Sequence, residues 1–241
     1  MVFEYRNVKI FYRFVDRHKV VTNIFLHGWG ADSTSFLFCE ESLQNENSLY
    51  VDFPPFGKSG CVPIGWTIFT YANMVISLCE HLKITKFNLI GHSFGGRVAI
   101  LVATLCKTGT EKLVLIDSAG VKPRRGPKYH LKVWTYKIRK KLGLDVSKYG
   151  SSDYRNLSDE MKPVFNNIVS THLDEFLPLV KAQTLIIFGE KDKTTPLYMA
   201  KKLHKKIKQS ELVIIKDAGH FCFAERHLEV LAIIRHFIGE K

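Results

Sequence analysis

The chain has 241 residues, of which 46% are hydrophobic and 24% charged, with a formal net charge of +12. At about 150 residues per domain, this is one large domain or one domain with an insertion, long enough to bury a core without disulfides or metals. The balance excludes a disordered chain, and no apolar run reaches the roughly 18 residues that a membrane-spanning helix needs.

In chain order, residues 2–14 read as two short strands with a turn at Asn7. Val20 to Leu26 is a β-rich run that stops at His27-Gly28-Trp29-Gly30. Ser48 to Phe53 is a further short strand, ending at Pro54-Pro55. Residues 67–82 have helical spacing, with Tyr71, Val75, Leu78 and Leu82 on one face. Phe87 to Ile90 is a buried strand, followed at once by Gly91-His92-Ser93-Phe94-Gly95-Gly96 and an apolar helix over 97–107. Leu113 to Ile116, Thr184 to Phe188 and Leu212 to Ile215 are three more apolar strands. Helices over about 197–206 and 224–238 complete the chain. Continuous apolar strands with helical crossovers predict an α/β fold, a mostly parallel, doubly wound sheet covered on both faces. The alternation breaks once. Residues 119–181 keep helical spacing without strand pattern, too long for a loop. They are read as a helical insertion into a core of residues 1–118 and 182–241.

The N-terminus lacks the basic-then-apolar pattern of a signal peptide. The five cysteines are odd in number and form no C-x-x-C pair. A reduced, cytoplasmic chain is expected. Between Lys122 and Lys148 lie ten Lys or Arg against one acid, Asp145, so this segment supplies most of the net charge. A second basic cluster is Lys201, Lys202, Lys205, Lys206 and Lys208.

Gly91-His92-Ser93-Phe94-Gly95 satisfies G-x-S-x-G between a strand and a helix, the context that motif requires. The serine takes a sharp, strained turn, and side chains two positions to either side would clash. A serine hydroxyl needs a base to take its proton and an acid to orient that base. Ser93, Asp192 (after the run 184–188) and His220 (after the run 212–215) all fall beyond the C-terminal ends of strands, where open α/β sheets bind ligands. They are assigned as nucleophile, orienting acid and base. Asp117 also follows a strand and is the rival acid. Asp52 is expected to brace the loop 53–59. The backbone N–H groups of Phe94 and Trp29 are the expected oxyanion donors. His27, Gly28, His92 and Phe221 are assigned to the substrate-binding surroundings, with His27 and His92 bracing it. Trp29, Phe94, Phe221 and Phe223 suggest an apolar pocket.

With these residues placed, the chain resembles the α/β-hydrolase superfamily over essentially its full length. The resemblance is carried by His27-Gly28-Trp29-Gly30, Asp52 to Ser59, the serine elbow, Gly189-Glu190-Lys191-Asp192 with Pro196, and Gly219-His220. Asp52 to Ser59 is similar to the family's D-x-P-G-x-G-x-S loop, with Pro55 at its first glycine. The resemblance implies that residues 119–181 form a helical cap over the active site. It also implies an esterase, lipase, thioesterase or carbon–carbon bond hydrolase. Superfamily members with an aspartate nucleophile are disfavoured by Ser93. Ring-cleavage carbon–carbon hydrolases usually carry Asn before the serine and Trp after the catalytic His, where this chain has His92 and Phe221.

The expected activity is therefore hydrolysis of a small carboxylic ester or thioester, with an apolar acyl part, through an acyl-enzyme on Ser93. The alternatives are a carbon–carbon hydrolase, or a ligand-binding or recruitment protein on the same fold. No H-E-x-x-H, paired cysteines or G-x-G-x-x-G after a strand is found, so neither a metal nor a nucleotide cofactor is expected. Nucleic acid is not expected as a partner. Contact of the basic cap with a membrane surface, and steering of an anionic substrate, stay open, as does the oligomeric state.

Overall fold

The computed structural model describes residues 1–146 and 148–239. Its strands are β1 (Val2–Tyr5), β2 (Val8–Val15), β3 (Val21–Leu26), β4 (Asn47–Val51), β5 (Lys86–His92), β6 (Thr110–Ile116), β7 (Gln183–Gly189) and β8 (Ser210–Ile215). They form one sheet in the order β1-β2-β4-β3-β5-β6-β7-β8. The pairings of β1 with β2 and of β2 with β4 are antiparallel, and every later pairing is parallel. The mostly parallel sheet expected from the apolar runs is present.

The helices are α1 (Ile68–His81), α2 (Phe94–Leu105), α3 (Pro127–Lys141), α4 (Ser152–Arg155), α5 (Met161–Ser170), α6 (Leu197–Lys206), α7 (Cys222–Glu225) and α8 (His227–Ile238). A 3-10 turn over Ser33–Cys39 follows β3. The sequence does not signal it, because the apolar residues of such a short segment carry no helical period.

The strands alternate their side chains between two cores. Ile24, Leu26, Leu89, Leu113, Leu115, Ile186 and Phe188 face the layer formed by α1, α2 and α6. Phe25, Ile90, Val114, Ile116, Leu185 and Ile187 face the other layer, built from the 3-10 turn, α7 and α8. Helix α1 starts with a reciprocal Thr67–Thr70 cap and buries Tyr71, Val75 and Leu78, as its spacing predicted. All five cysteines are free; Cys39, Cys79 and Cys222 are buried. Among the described residues no helix is long and apolar enough to cross a membrane.

Between β6 and β7 the described chain forms α3, α4, α5 and a 3-10 turn over Leu177–Leu179, without a strand. Its attachment to the sheet layers is uneven. Helix α5 buries Val164, Phe165 and Ile168. Helix α3 has no buried residue among those described.

Candidate active site

The site stands at the C-terminal ends of β5, β7 and β8. Strand β5 ends at His92 and α2 begins at Phe94, so Ser93 alone makes the reversal. Its φ of 50° and ψ of −108° lie far from either element. The Ser93 N–H donates to the Ile116 carbonyl at 3.0 Å, which ties the turn to the end of β6. The flanking glycines are steric necessities. A Cβ on Gly91 would lie 2.6 Å from the Gly95 carbonyl oxygen, and one on Gly95 would lie 2.0 Å from that of Leu26. Both are far inside van der Waals contact.

His220 bridges two partners. Its Nε2 lies 3.0 Å from Ser93 Oγ, and its Nδ1 lies 2.8 Å from Asp192 Oδ2. Asp192 is fixed in turn by three donors. Its Oδ1 accepts the N–H groups of Thr194 and Thr195 at 2.7 and 3.0 Å, and Thr195 Oγ1 lies 2.6 Å from Oδ2. Burial pushes the Asp192 carboxyl up, but the hydrogen bonds from His220 and Thr195 outweigh it and hold the group below its ordinary value. An ionised Asp192 accepts Nδ1–H, which leaves Nε2 free to accept a proton from Ser93.

Asp117 does not occupy that place. Its Oδ1 accepts the Gly189 N–H at 2.8 Å and its Oδ2 faces the Cys222 N–H at 3.4 Å. It joins β6, β7 and the start of α7 beneath the site. Burial raises its carboxyl to about 7, and neighbouring Asp192 adds to that rise. Thr195 is a site residue that the sequence motifs do not mark. Its signal is a hydroxyl three residues after Asp192, a spacing that lets a carboxylate close a tight turn.

Phe94 opens α2, so its N–H has no intrahelical acceptor. Among the described residues, neither it nor the Trp29 N–H donates in the backbone pairing of the loops. The two rings lie 5.4 Å apart, edge to face.

His27 and His92 do not line an open site. His27 is fully buried, with Nδ1 on the Gly28 carbonyl at 2.7 Å and Nε2 accepting the Phe53 N–H at 2.8 Å. It clips the end of β3 to the loop after β4. Both ring nitrogens are taken, so it braces and has none left for a substrate. His92 is also buried and lies 2.8 Å, through Nε2, from the His220 carbonyl. Burial, with His220 nearby, drops it to about 3, so it is neutral. Gly28 lets this imidazole approach, since a Cβ there would lie 2.7 Å from His92 Nδ1. Phe221 is half exposed, with its ring 5.5 Å from His220.

The aromatic pocket differs from expectation. The Phe94 side chain is buried against Phe53 and Tyr71. Phe223 stacks on Phe36 and Phe38 in the opposite core. Trp29 remains partly open, and Phe165 of α5 packs on it with ring centres 5.0 Å apart. The sequence could not announce Phe165, which lies 136 positions along the chain from Trp29. Asp52 braces the following loop as expected, accepting the N–H groups of Ser33 and Lys58, each at 2.8 Å.

His92, Asp117 and His220 offer ligand atoms within 4.8 Å of one another. However, both nitrogens of His220 and both oxygens of Asp117 already have partners. A cation there would have to break the Ser93–His220–Asp192 contacts.

A serine elbow on a mostly parallel sheet, facing a histidine held by a carboxylate, is the arrangement of a hydrolase of the α/β type. The chain belongs to the alpha/beta hydrolase family, whose model matches residues 24–233. It is 28% identical to the AB hydrolase superfamily protein YisY of Bacillus subtilis (strain 168), over 89% of this chain and 90% of that one. It is 26% identical to the 2-hydroxy-6-oxononadienedioate/2-hydroxy-6-oxononatrienedioate hydrolase of Escherichia coli (strain K12), over 83% of this chain and 81% of that one. In structure it is similar to the esterase EaEST from Exiguobacterium antarcticum, with TM-score 0.77, 21% identity and 96% of each chain covered.

Proposed function

We propose that the protein is a serine carboxylesterase or thioesterase acting on a small substrate with an apolar acyl part. The observation that carries the reading is the continuous contact from Ser93 Oγ through His220 to Asp192, at 3.0 and 2.8 Å. Ser93 Oγ attacks the acyl carbonyl while His220 Nε2 takes its proton, and Asp192 stabilises the imidazolium. The Trp29 and Phe94 N–H groups meet the oxyanion. Collapse expels the alcohol or thiol, which takes the proton from His220. A water activated by His220 then attacks the acyl-enzyme, releasing the acid and restoring Ser93. Residues 119–181 serve as the cap, with Phe165 pressing on Trp29 beside the oxyanion site. The free thiols fit a reducing compartment, and the cytoplasm is the proposed location. The esterase among the structural neighbours is consistent with this reading.

The test is hydrolysis of p-nitrophenyl esters of increasing acyl length. Ser93→Ala should lower kcat by about 10⁴-fold or more. Asp192→Asn should lower it by about 10⁴-fold, because the amide orients the wrong tautomer of His220. Near wild-type turnover by Ser93→Ala would refute the assignment. A folded wild type inert on every ester would replace it with the carbon–carbon hydrolase or ligand-binding reading.

A further inference from the structure

Helix α3 carries two apolar faces, and among the described residues only one packs against other aromatic side chains. One face presents Tyr129, itself 42% exposed, with the half-buried Val133 and Tyr136, to a cavity of about 650 Å³ that Tyr149, Tyr154 and Phe165 also line. Tyr136 and Tyr149 pack with ring centres 5.5 Å apart. On the opposite side lie Leu131, Trp134, Ile138 and Leu142. At about 100° per residue these four fall within an arc of about 80°. They are 60%, 60%, 37% and 66% exposed. Large apolar side chains aligned and left open in this way mark a contact surface rather than chance exposure.

The charges are arranged around that stripe. Lys137 and Lys141 flank it on one side, Lys132 and Arg139 on the other, and all four are exposed. Lys140 is exposed on the remaining side of the helix, and Arg124 and Arg125 lie exposed just before it. A basic helix with a Trp-, Leu- and Ile-bearing stripe between cationic flanks has the pattern of a helix lying in a bilayer interface. Its aliphatic groups enter the acyl boundary and its cations stay at the headgroups. A second copy of this chain fits the surface less well, because a two-fold contact would set like charges face to face. Nucleic acid would engage the cations and leave Leu131, Ile138 and Leu142 in water.

We propose that α3 docks the protein on an anionic membrane surface, with Leu131, Trp134, Ile138 and Leu142 inserted and the flanking Lys and Arg on acidic headgroups. The docked helix would stand one layer from the active site, since Phe165 both lines the cavity behind it and packs on Trp29. The inference rests on α3 alone and not on the catalytic reading.

The experiment is co-sedimentation of the full chain with phosphatidylcholine vesicles, without or with about 30% phosphatidylglycerol, at about 0.1 M salt. Binding is expected only with phosphatidylglycerol, together with a blue shift of Trp fluorescence that is lost in Trp134→Phe. Leu131→Ser/Trp134→Ser and Lys137→Glu/Lys141→Glu should each lower the partition coefficient about tenfold or more. Both should leave hydrolysis of a short soluble ester unchanged. Ser93→Ala should bind as wild type, which separates failure of docking from failure of the catalytic assignment. Lys201→Glu/Lys205→Glu, in the other basic cluster, should leave binding unchanged. An equal loss in that variant, equal binding to neutral vesicles, or no binding would overturn the proposal. So would a salt-sensitive complex with duplex DNA that is indifferent to Leu131 and Trp134, or a dimer abolished by Leu131→Ser.

Discussion

The sheet and the insertion are built on opposite terms. In β3, β5, β6 and β7 nearly every apolar side chain is buried, alternately in one layer or the other. In α3 the apolar residues are split between a cavity and the surface, and none joins either core. The strands therefore hold their place by burial on two sides. Helix α3 is tied instead to the loop that follows it, through Tyr136 against Tyr149, the Tyr149 hydroxyl on Thr135 and Arg139 on the Asp145 carbonyl.

The largest expected test of that contrast is a pair of aromatic truncations. Phe188→Ala, in fully buried β7, should cost about 3–5 kcal/mol through lost burial and an unfilled cavity. Trp134→Ala, on the open face of α3, should change stability by less than about 0.5 kcal/mol. Urea unfolding of both variants reads the difference. Equal costs would mean that α3 is part of the cooperative core.

The joint between the two regions comes next. Arg97 of α2 is buried, and its Nη1 donates to the Ile168 and Thr171 carbonyls, each at 2.5 Å, where α5 ends. A cation at a helix C-terminus satisfies carbonyls that the helix cannot. Burial lowers this guanidinium to about 10, so it remains charged at neutral pH. Arg97→Ala should cost about 2–4 kcal/mol by stranding both acceptors. It should also speed hydrogen exchange in α5 more than in β5. Uniform loss of protection would show that Arg97 supports the whole fold and not the joint.

The smallest expected effect concerns Asp117, inside the core. Its value of about 7 lies above the 3.8 of a free carboxyl. The folded chain thus binds this proton more tightly than the unfolded chain does. The stability this contributes is full below about pH 4 and is lost as pH rises through about 7. Between pH 5 and 8 wild type should therefore lose about 2.6 kcal/mol relative to Asp117→Asn. Thermal melts of both proteins across that range give the difference. A constant offset would show that Asp117 is already ionised at pH 5.

Much of the site was legible because its chemistry imposes local patterns. The elbow needs glycine at 91 and 95, since any Cβ strikes backbone. Asp192 and His220 follow apolar strands at positions that topology alone brings beside Ser93. The choice between Asp192 and Asp117 was not local. Both follow strands, and only the register of β6, β7 and β8 shows which carboxylate reaches His220. The same holds for Thr195, whose hydroxyl matters only once Asp192 is placed.

The aromatic residues show where sequence reading ends. Phe94 and Phe223 flank site residues in the chain, yet their rings turn into the two cores. Phe165, far away in the chain, comes to rest on Trp29. The sequence by itself determined the parallel sheet, the elbow and the helical character of the insertion, because periodicity and steric exclusion act over a few residues. Only the tertiary structure decided which acid meets His220, which rings surround Trp29 and which face of α3 is left open. Those outcomes depend on how distant segments pack, and no short stretch of chain encodes the side chain it will meet.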